Sequence, residues 1–185
     1  MDEKTKYEKV WRECARYGKN WTDAGLGRPY KIPFLKRARI GSSVIDFGCG
    51  NGSSLDWLKM EGFSPFGVDI AKNALTKKRE DVVIGDLREP GLITQPAKYG
   101  ICTDVMEHIP TSDVSIVLEN IAEVIREGVL FGIARLPDKD GDELGLKLHL
   151  TIKNQEWWDE LILRYFRTIE LIRYDDGVYI LWAIK

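Results

Sequence analysis

Apolar positions along this chain follow two different periods. Near the N-terminus Tyr7, Val10, Trp11 and Cys14 recur at i, i+3, i+4 and i+7, which predicts a helix over residues 4–17. Gly18 would stop it, Gly25-Leu26-Gly27-Arg28-Pro29 reads as an irregular loop, and residues 30–39 suit a second short helix. From residue 44 onward short apolar runs alternate with helix-compatible stretches. They predict strand 44–48, helix 53–61, strand 66–69, helix 71–80, strands 82–85 and 99–104, helix 112–126 and strand 128–134. In the helix after Pro110 the residues Val114, Val117, Leu118, Ile121, Val124 and Ile125 form one apolar face, with Thr111, Ser112 and Asp113 as N-cap candidates. Such alternation predicts an α/β fold, a parallel sheet with helices on both faces. The C-terminal part differs: helix 154–165 leads into Thr168–Tyr174 and Val178–Ile184, joined by Asp175-Asp176-Gly177, which is an antiparallel hairpin signal.

A chain of 185 residues suits one domain spanning 1–185, with 1–39 as a helical arm or lid and 40–185 as the core. With 44% apolar and 30% charged residues the composition is that of an ordinary globular domain. No apolar run approaches the roughly 20 residues of a membrane helix, so no membrane partner is expected. The charged start Met1-Asp2-Glu3-Lys4 lacks the apolar core of a secretory signal. Cys14, Cys49 and Cys102 are odd in number and widely separated, which fits a reduced, cytoplasmic setting, with Cys49 and Cys102 as small buried side chains. The net charge of −2 is unevenly spread: residues 1–40 hold eleven Lys or Arg against five Asp or Glu. Tyr7, Trp11, Tyr17, Trp21, Tyr30 and Phe34 lie among them. That interleaving suits either a nucleic-acid or phosphate surface, or amphipathic helices that turn their aromatics onto the sheet.

The stretch Val44-Ile45-Asp46-Phe47-Gly48-Cys49-Gly50-Asn51-Gly52, with Ser53-Ser54-Leu55-Asp56-Trp57-Leu58 behind it, carries the chemistry. It reads as a buried strand, a tight turn and a helix N-terminus, where α/β sheets hold nucleotide-like ligands. A dinucleotide fingerprint would want glycine where Ser53 stands, and Asp46 is foreign to it. Asp-x-Gly-x-Gly-x-Gly after an apolar strand instead resembles the first motif of class I S-adenosylmethionine (SAM) methyltransferases. Phe66-Gly67-Val68-Asp69-Ile70 follows with an acid 21 positions after Gly48, near the roughly twenty expected of a ribose-binding acid. Val82-Val83-Ile84-Gly85-Asp86 and Tyr99-Gly100-Ile101-Cys102-Thr103-Asp104 complete the series, the latter running into Val105-Met106-Glu107-His108-Ile109-Pro110. The likeness extends in order and spacing over residues 40–185.

This resemblance implies a Rossmann-like, seven-stranded, mostly parallel sheet of order 3-2-1-4-5-7-6 that ends in the antiparallel hairpin. It also implies SAM as cofactor and S-adenosylhomocysteine (SAH) as product. The Gly48-Cys49-Gly50-Asn51-Gly52 turn would pass under the methionine part, with Asp46 near its ammonium group. Asp69, with Ile70 beside it, would take the ribose hydroxyls; Asp86 and the Leu87 backbone would face the adenine; Asp104 would lie beside the sulfonium.

A hydroxyl or protonated amine acceptor must lose a proton, and the chain has only two histidines. If residues 104–108 make a helical turn, Asp104, Glu107 and His108 share a face. His108 is therefore the first candidate base. His149, within Leu136–Thr151, is the second. The Asp-x-x-Glu-His run with a later histidine also resembles the Glu-x-x-Glu-His site of metal-dependent RNA 2′-O-methyltransferases, with Asp104 in place of the first Glu. A divalent metal on Asp104, Glu107, His108 and His149 is thus a second, less favoured reading. Of Trp157 and Trp158, adjacent on a helix, one should pack in the core and the other near the surface, where it could serve as a platform for a ring substrate.

No Asp/Asn-Pro-Pro-Tyr/Phe follows the fourth strand and no Pro-Cys is present, so amino- or cytosine-C5 methylation of DNA lacks its signature. The polar, glycine-bearing loop 135–150 suits a lid. Together with the basic arm, this loop points to O- or N-methylation of a small anionic acceptor such as a sugar, a nucleotide or a metabolite. Two alternatives stand beside it: an RNA- or macromolecule-directed enzyme using residues 1–40, and a non-catalytic SAM-binding partner subunit.

Overall fold

The computed structural model describes residues 1–16, 27–138 and 141–185. Tyr17, Gly18, Trp21, Gly25 and Leu26, the side chains of Cys14 and Arg28, and the loop residues Lys139 and Asp140 lie outside that description. The apolar runs become β1 (Ser43–Phe47), β2 (Ser64–Asp69), β3 (Val82–Ile84), β4 (Ala97–Thr103), β5 (Ile125–Ala134), β6 (Thr168–Tyr174) and β7 (Val178–Ile184). They form one sheet in the order β3-β2-β1-β4-β5-β7-β6. Strands β1 to β5 pair in parallel, and β7 runs antiparallel to both β5 and β6.

Successive strand residues point to opposite faces, and both faces are buried. Ile45, Val129, Phe131, Tyr179 and Leu181 face α4 (Val114–Val124) and α5 (Gln155–Ile162), where Leu118, Ile121 and Trp158 fill the layer. Val44, Ile101, Leu130, Ile180 and Trp182 face the opposite layer, filled by Phe34 of α2 (Arg28–Leu35) and Leu58 of α3 (Ser53–Met60). Helix α1 (Glu3–Arg16) lies elsewhere: Val10 packs on Leu148, with Tyr7, Leu144 and Leu146 beside it. No helix among the described residues is long and apolar enough to cross a membrane.

Two helix expectations need correction. The segment 71–80 is not a helix but a single 3₁₀ turn, Lys72–Ala74, that leads to β3. It offers only Ala71, Ala74 and Leu75 as apolar anchors, too few for a stripe that would hold a helix on the sheet. Its ends are fixed otherwise: Ala71 N–H donates to Asp69 (2.8 Å), Asn73 Nδ2 donates to the Glu8 carbonyl of α1 (2.7 Å), and Arg79 pairs with Asp56 and Asp81. The predicted helix 112–126 also ends early, because Ile125 already pairs with Ala97 as the first residue of β5.

Candidate active site

The loop after β1 turns at glycines with φ of +79° (Gly48), +54° (Gly50) and +80° (Gly52), a region that side chains rarely adopt. Gly48 and Cys49 N–H groups donate to the Val68 carbonyl (2.8 and 3.0 Å), which ties the loop to β2. A Cβ on Gly48 would stand 2.3 Å from Val105 Cγ2, so the Val105 side chain, just beyond β4, leaves this position to glycine. Beneath it Asp46 is buried and accepts from Ser54 Oγ at the start of α3. Burial pushes its carboxyl up to about 7 against the opposing pull of that hydroxyl.

Two further strand ends bring their acids alongside. Asp69 accepts from Gly50 N–H and Ala71 N–H, both at 2.8 Å, while burial raises its pKa. Asp86 is gripped by the Arg88 guanidinium, which also reaches Asp113 (3.0 Å). Burial alone would raise the Asp86 pKa, but Arg88 outweighs it and holds the carboxyl below its usual value. The Leu87 carbonyl accepts from Asn120 Nδ2 (2.8 Å), which anchors this turn to α4.

At the end of β4 the chain departs from the expected helical turn. Asp104 takes φ of +56°, the one non-glycine residue with positive φ among those described. It is held there by its N–H on the Gly132 carbonyl (2.8 Å) and by Tyr30 Oη, which donates to Oδ1 (3.2 Å). Only Met106–His108 form a 3₁₀ turn. Asp104, Glu107 and His108 therefore do not line one face of a helix: Asp104 opens onto the cavity and accepts from Tyr30, His108 lines the cavity, and Glu107 is fully buried next to His108, outside the cavity lining. Such strain in a non-glycine residue persists only where the surroundings enforce it, and it concentrates at functional sites.

The turn is zipped to residues 148–151. The Glu107 carbonyl accepts from Leu150 and Thr151 N–H (2.7 and 2.9 Å), Thr151 Oγ1 donates to the Ile109 carbonyl (2.7 Å), and His108 Nδ1 donates to the Leu148 carbonyl (3.2 Å). This brings the His149 ring to 4.8 Å from that of His108, centre to centre and edge to face. Burial, then the neighbouring His149, lowers the His108 pKa to about 3. His108 is thus a neutral imidazole at ordinary pH and a weak base. Burial, then the Asp104 carboxylate, raises the Glu107 pKa well above its usual value.

Helix α1 closes the cavity. The Tyr7 ring meets His108 edge to face at 5.6 Å, and a Cβ on Gly50 would lie 3.0 Å from the Trp11 ring. Lys9 Nζ holds the Leu144 carbonyl (3.3 Å). The cavity beneath α1, open to solvent on one side, measures about 390 Å³. Asp46, Gly48, Cys49, Gly50, Asp69 and Ile70 line one part of it; Asp86, Leu87, Asp104, His108 and His149 line the rest. Gly52 does not reach it and instead starts α3, against the Arg79 side chain. Trp158 is buried in the core and Trp157 is half-buried beneath Lys153, so neither indole offers the cavity a platform. Cys49 has a thiol pushed up by burial, and Cys102 is a core residue, in keeping with passive roles. Sequence reasoning missed Glu3, Tyr30 and Asp138 as neighbours of the site; Tyr7 and Trp11 were visible as an apolar face of α1 and as members of the basic aromatic arm, not as its cover.

A family profile described as a methyltransferase domain matches residues 27–182. No curated protein sequence matches the chain. Among solved structures, the PH0226 protein from Pyrococcus horikoshii OT3 is 18% identical with a TM-score of 0.70, over 88% of this chain and 89% of that one. Magnesium protoporphyrin IX methyltransferase from Synechocystis PCC 6803 with bound SAH is 16% identical with a TM-score of 0.70, over the whole of both chains. Phosphoethanolamine N-methyltransferase 2 from Haemonchus contortus in complex with SAM is 17% identical with a TM-score of 0.62, over 86% of this chain and 53% of that one. At these identities the likeness is one of fold.

Proposed function

From the fact that the chain belongs to the methyltransferase domain family, within the class I SAM-dependent methyltransferases, we propose that it methylates an O or N atom of a small acceptor in the cavity under α1. The observation that carries this reading is the cavity itself. Its 390 Å³ lies within the roughly 300–1,000 Å³ usual for small-molecule sites. One part is built from the positive-φ glycine loop and strand-end acids, the other from two imidazoles.

The residues fit SAM. Gly48 and Gly50 line the cavity with bare backbone, and a Cβ on either would press on Val105 or Trp11. Asp46 would face the ammonium group, Asp69 and Ile70 the ribose, and Asp86 with Leu87 the adenine. Asp104 would stand where β4 ends, beside the sulfonium. Bound there, SAM supplies a methyl group on a positively charged sulfur. The chain's task is to align the acceptor and keep water out, and alignment of this kind is worth roughly 7–11 kcal/mol of barrier. Tyr7 and Trp11 supply the cover. His108 and His149 face the acceptor; His108, neutral and weakly basic, serves as a hydrogen-bond acceptor, which leaves His149 for proton removal.

The small-acceptor reading is supported over a nucleic-acid platform by the aromatics of the N-terminal arm. Tyr7 and Trp11 line the cavity, Tyr30 is 7% exposed and Phe34 is fully buried, so none of these rings is spread on the surface for stacking. The test is thermal unfolding with SAH, SAM, NAD and ATP in parallel, followed by turnover with sugars, nucleotides, amines and carboxylates. A ligand present at 100 times its Kd adds about 2.7 kcal/mol of stability. Midpoint rises with SAH and SAM alone are expected. A rise with only NAD or ATP would overturn the reading, and SAM binding without turnover on any acceptor would point to a partner subunit.

A further inference from the structure

We propose that Glu107, His108 and His149 bind one divalent first-row transition-metal cation at the acceptor end of the cavity. One nitrogen of each imidazole and one Glu107 carboxylate oxygen lie within 4.8 Å of one another. Two histidines and a carboxylate on one side of an ion, with the other side open, is a set that suits borderline cations such as Zn²⁺, Mn²⁺ and Fe²⁺.

Three independent details prepare the set for a cation. His108 Nδ1 is engaged with the Leu148 carbonyl (3.2 Å) and His149 Nδ1 with the Leu136 carbonyl (2.5 Å). A carbonyl can only accept, so each Nδ1 carries the proton and each Nε2 keeps its lone pair. Metal-binding histidines are typically oriented by this kind of second hydrogen bond. The third detail is Glu107. Its side chain is fully buried, Oε1 accepts from Ala134 N–H (3.1 Å), and Oε2 has no hydrogen-bond partner. A buried carboxylate oxygen without a partner is costly, and a cation beside two imidazole lone pairs would satisfy it.

The backbone supplies the scaffold. The Glu107 carbonyl is bonded to Leu150 and Thr151, so the segment that carries His149 is fastened to the residue that carries the carboxylate. Asp104 stands outside the converging set, and its Oδ1 accepts from Tyr30 Oη. Ligand atoms around an ion at about 2.1 Å stand some 3–3.5 Å apart, so binding draws the set inward by about 1.5 Å at its widest. The ion's open side would face the acceptor and lower the pKa of a hydroxyl bound there, with the imidazoles as ligands and no longer as bases. That use rests on the methyltransferase reading, whereas the binding of the ion does not.

The experiment titrates chelator-treated full-length protein with Mn²⁺, read by electron paramagnetic resonance, and with Zn²⁺, read by calorimetry. Each is done with and without SAH, and the SAH-induced midpoint shift is recorded on the same samples. One equivalent should bind, and His149→Ala and His108→Ala should each weaken it at least tenfold. Glu107→Gln, which keeps the shape and removes the charge, should do the same; if it fails to fold, His149→Ala at the cavity surface still decides. Absence of saturable binding, or binding that His149→Ala leaves unchanged, would overturn the proposal. Because the SAH shift is read alongside, no metal with an intact SAH shift sinks the ion site alone. One equivalent of metal without an SAH shift upholds the site and sinks the methyltransferase reading.

Discussion

At Asp46 burial outweighs the Ser54 hydroxyl, so the folded protein binds this proton more tightly than the unfolded chain does. The stability it contributes is complete below the ordinary carboxyl value of 3.8 and is lost as pH rises through about 7. Denaturant unfolding of the ligand-free protein should therefore show stability declining between pH 5 and 7.5, by on the order of a few kcal/mol. Asp46→Asn should flatten that slope. An unchanged slope would mean that other buried acids carry it. With an ammonium group beside Asp46 the ionised form is favoured instead, so SAH should bind more tightly at pH 7.5 than at pH 6 in the wild type and not in Asp46→Asn. Gly48→Ala tests the loop differently: a left-handed backbone and a Cβ 2.3 Å from Val105 should cost about 1–3 kcal/mol and abolish the SAH midpoint shift. Gly48 was legible in the sequence because a turn that needs positive φ needs glycine, and Asp46 because it completes the motif that resembles the methyltransferase family's. Tyr30 was not, since nothing local links residue 30 to Asp104, 74 positions away.

At the scale of elements, α1 is the piece whose role is most easily separated from the core. It touches the glycine loop through Trp11, the imidazole pair through Tyr7 and the 144–148 segment through Val10. Trp11→Ala should weaken SAH binding about tenfold, the equivalent of 1.4 kcal/mol, in isothermal titration, while the far-ultraviolet dichroism stays that of the wild type. Unchanged affinity would show that α1 only packs and does not cover the cofactor. The period of 3.6 announced this helix, but which of its faces met a ligand site was not in the pattern. The opposite lesson comes from residues 71–80, where good helix formers fail to make a helix. Helical stability comes mainly from an apolar face with something to pack on, and there the chain is pinned by Asp69, Asn73 and Arg79 instead.

For the molecule as a whole, charge distribution makes a test that no single residue provides. Residues 1–40 carry a net charge of +6 and the remainder −8. If the acceptor is small, its KM should change little between 50 and 200 mM salt, whereas an RNA acceptor contacting several phosphates would lose orders of magnitude in affinity over that range. The order of the sheet came to the sequence only through its resemblance to class I methyltransferases. What the sequence by itself determined was the strands, the glycine loop and the acids at the strand ends. Each of these is written locally, as a period of two or 3.6, or as a residue type that one backbone conformation requires. The tertiary structure alone decided what faces what across the cavity. It turned Asp104 toward Tyr30, buried Glu107, joined His108 to His149 by way of residues 148–151 and set α1 over the opening. These are contacts between distant segments, settled by packing and by the need to pair buried polar groups, and a one-dimensional pattern holds no record of either.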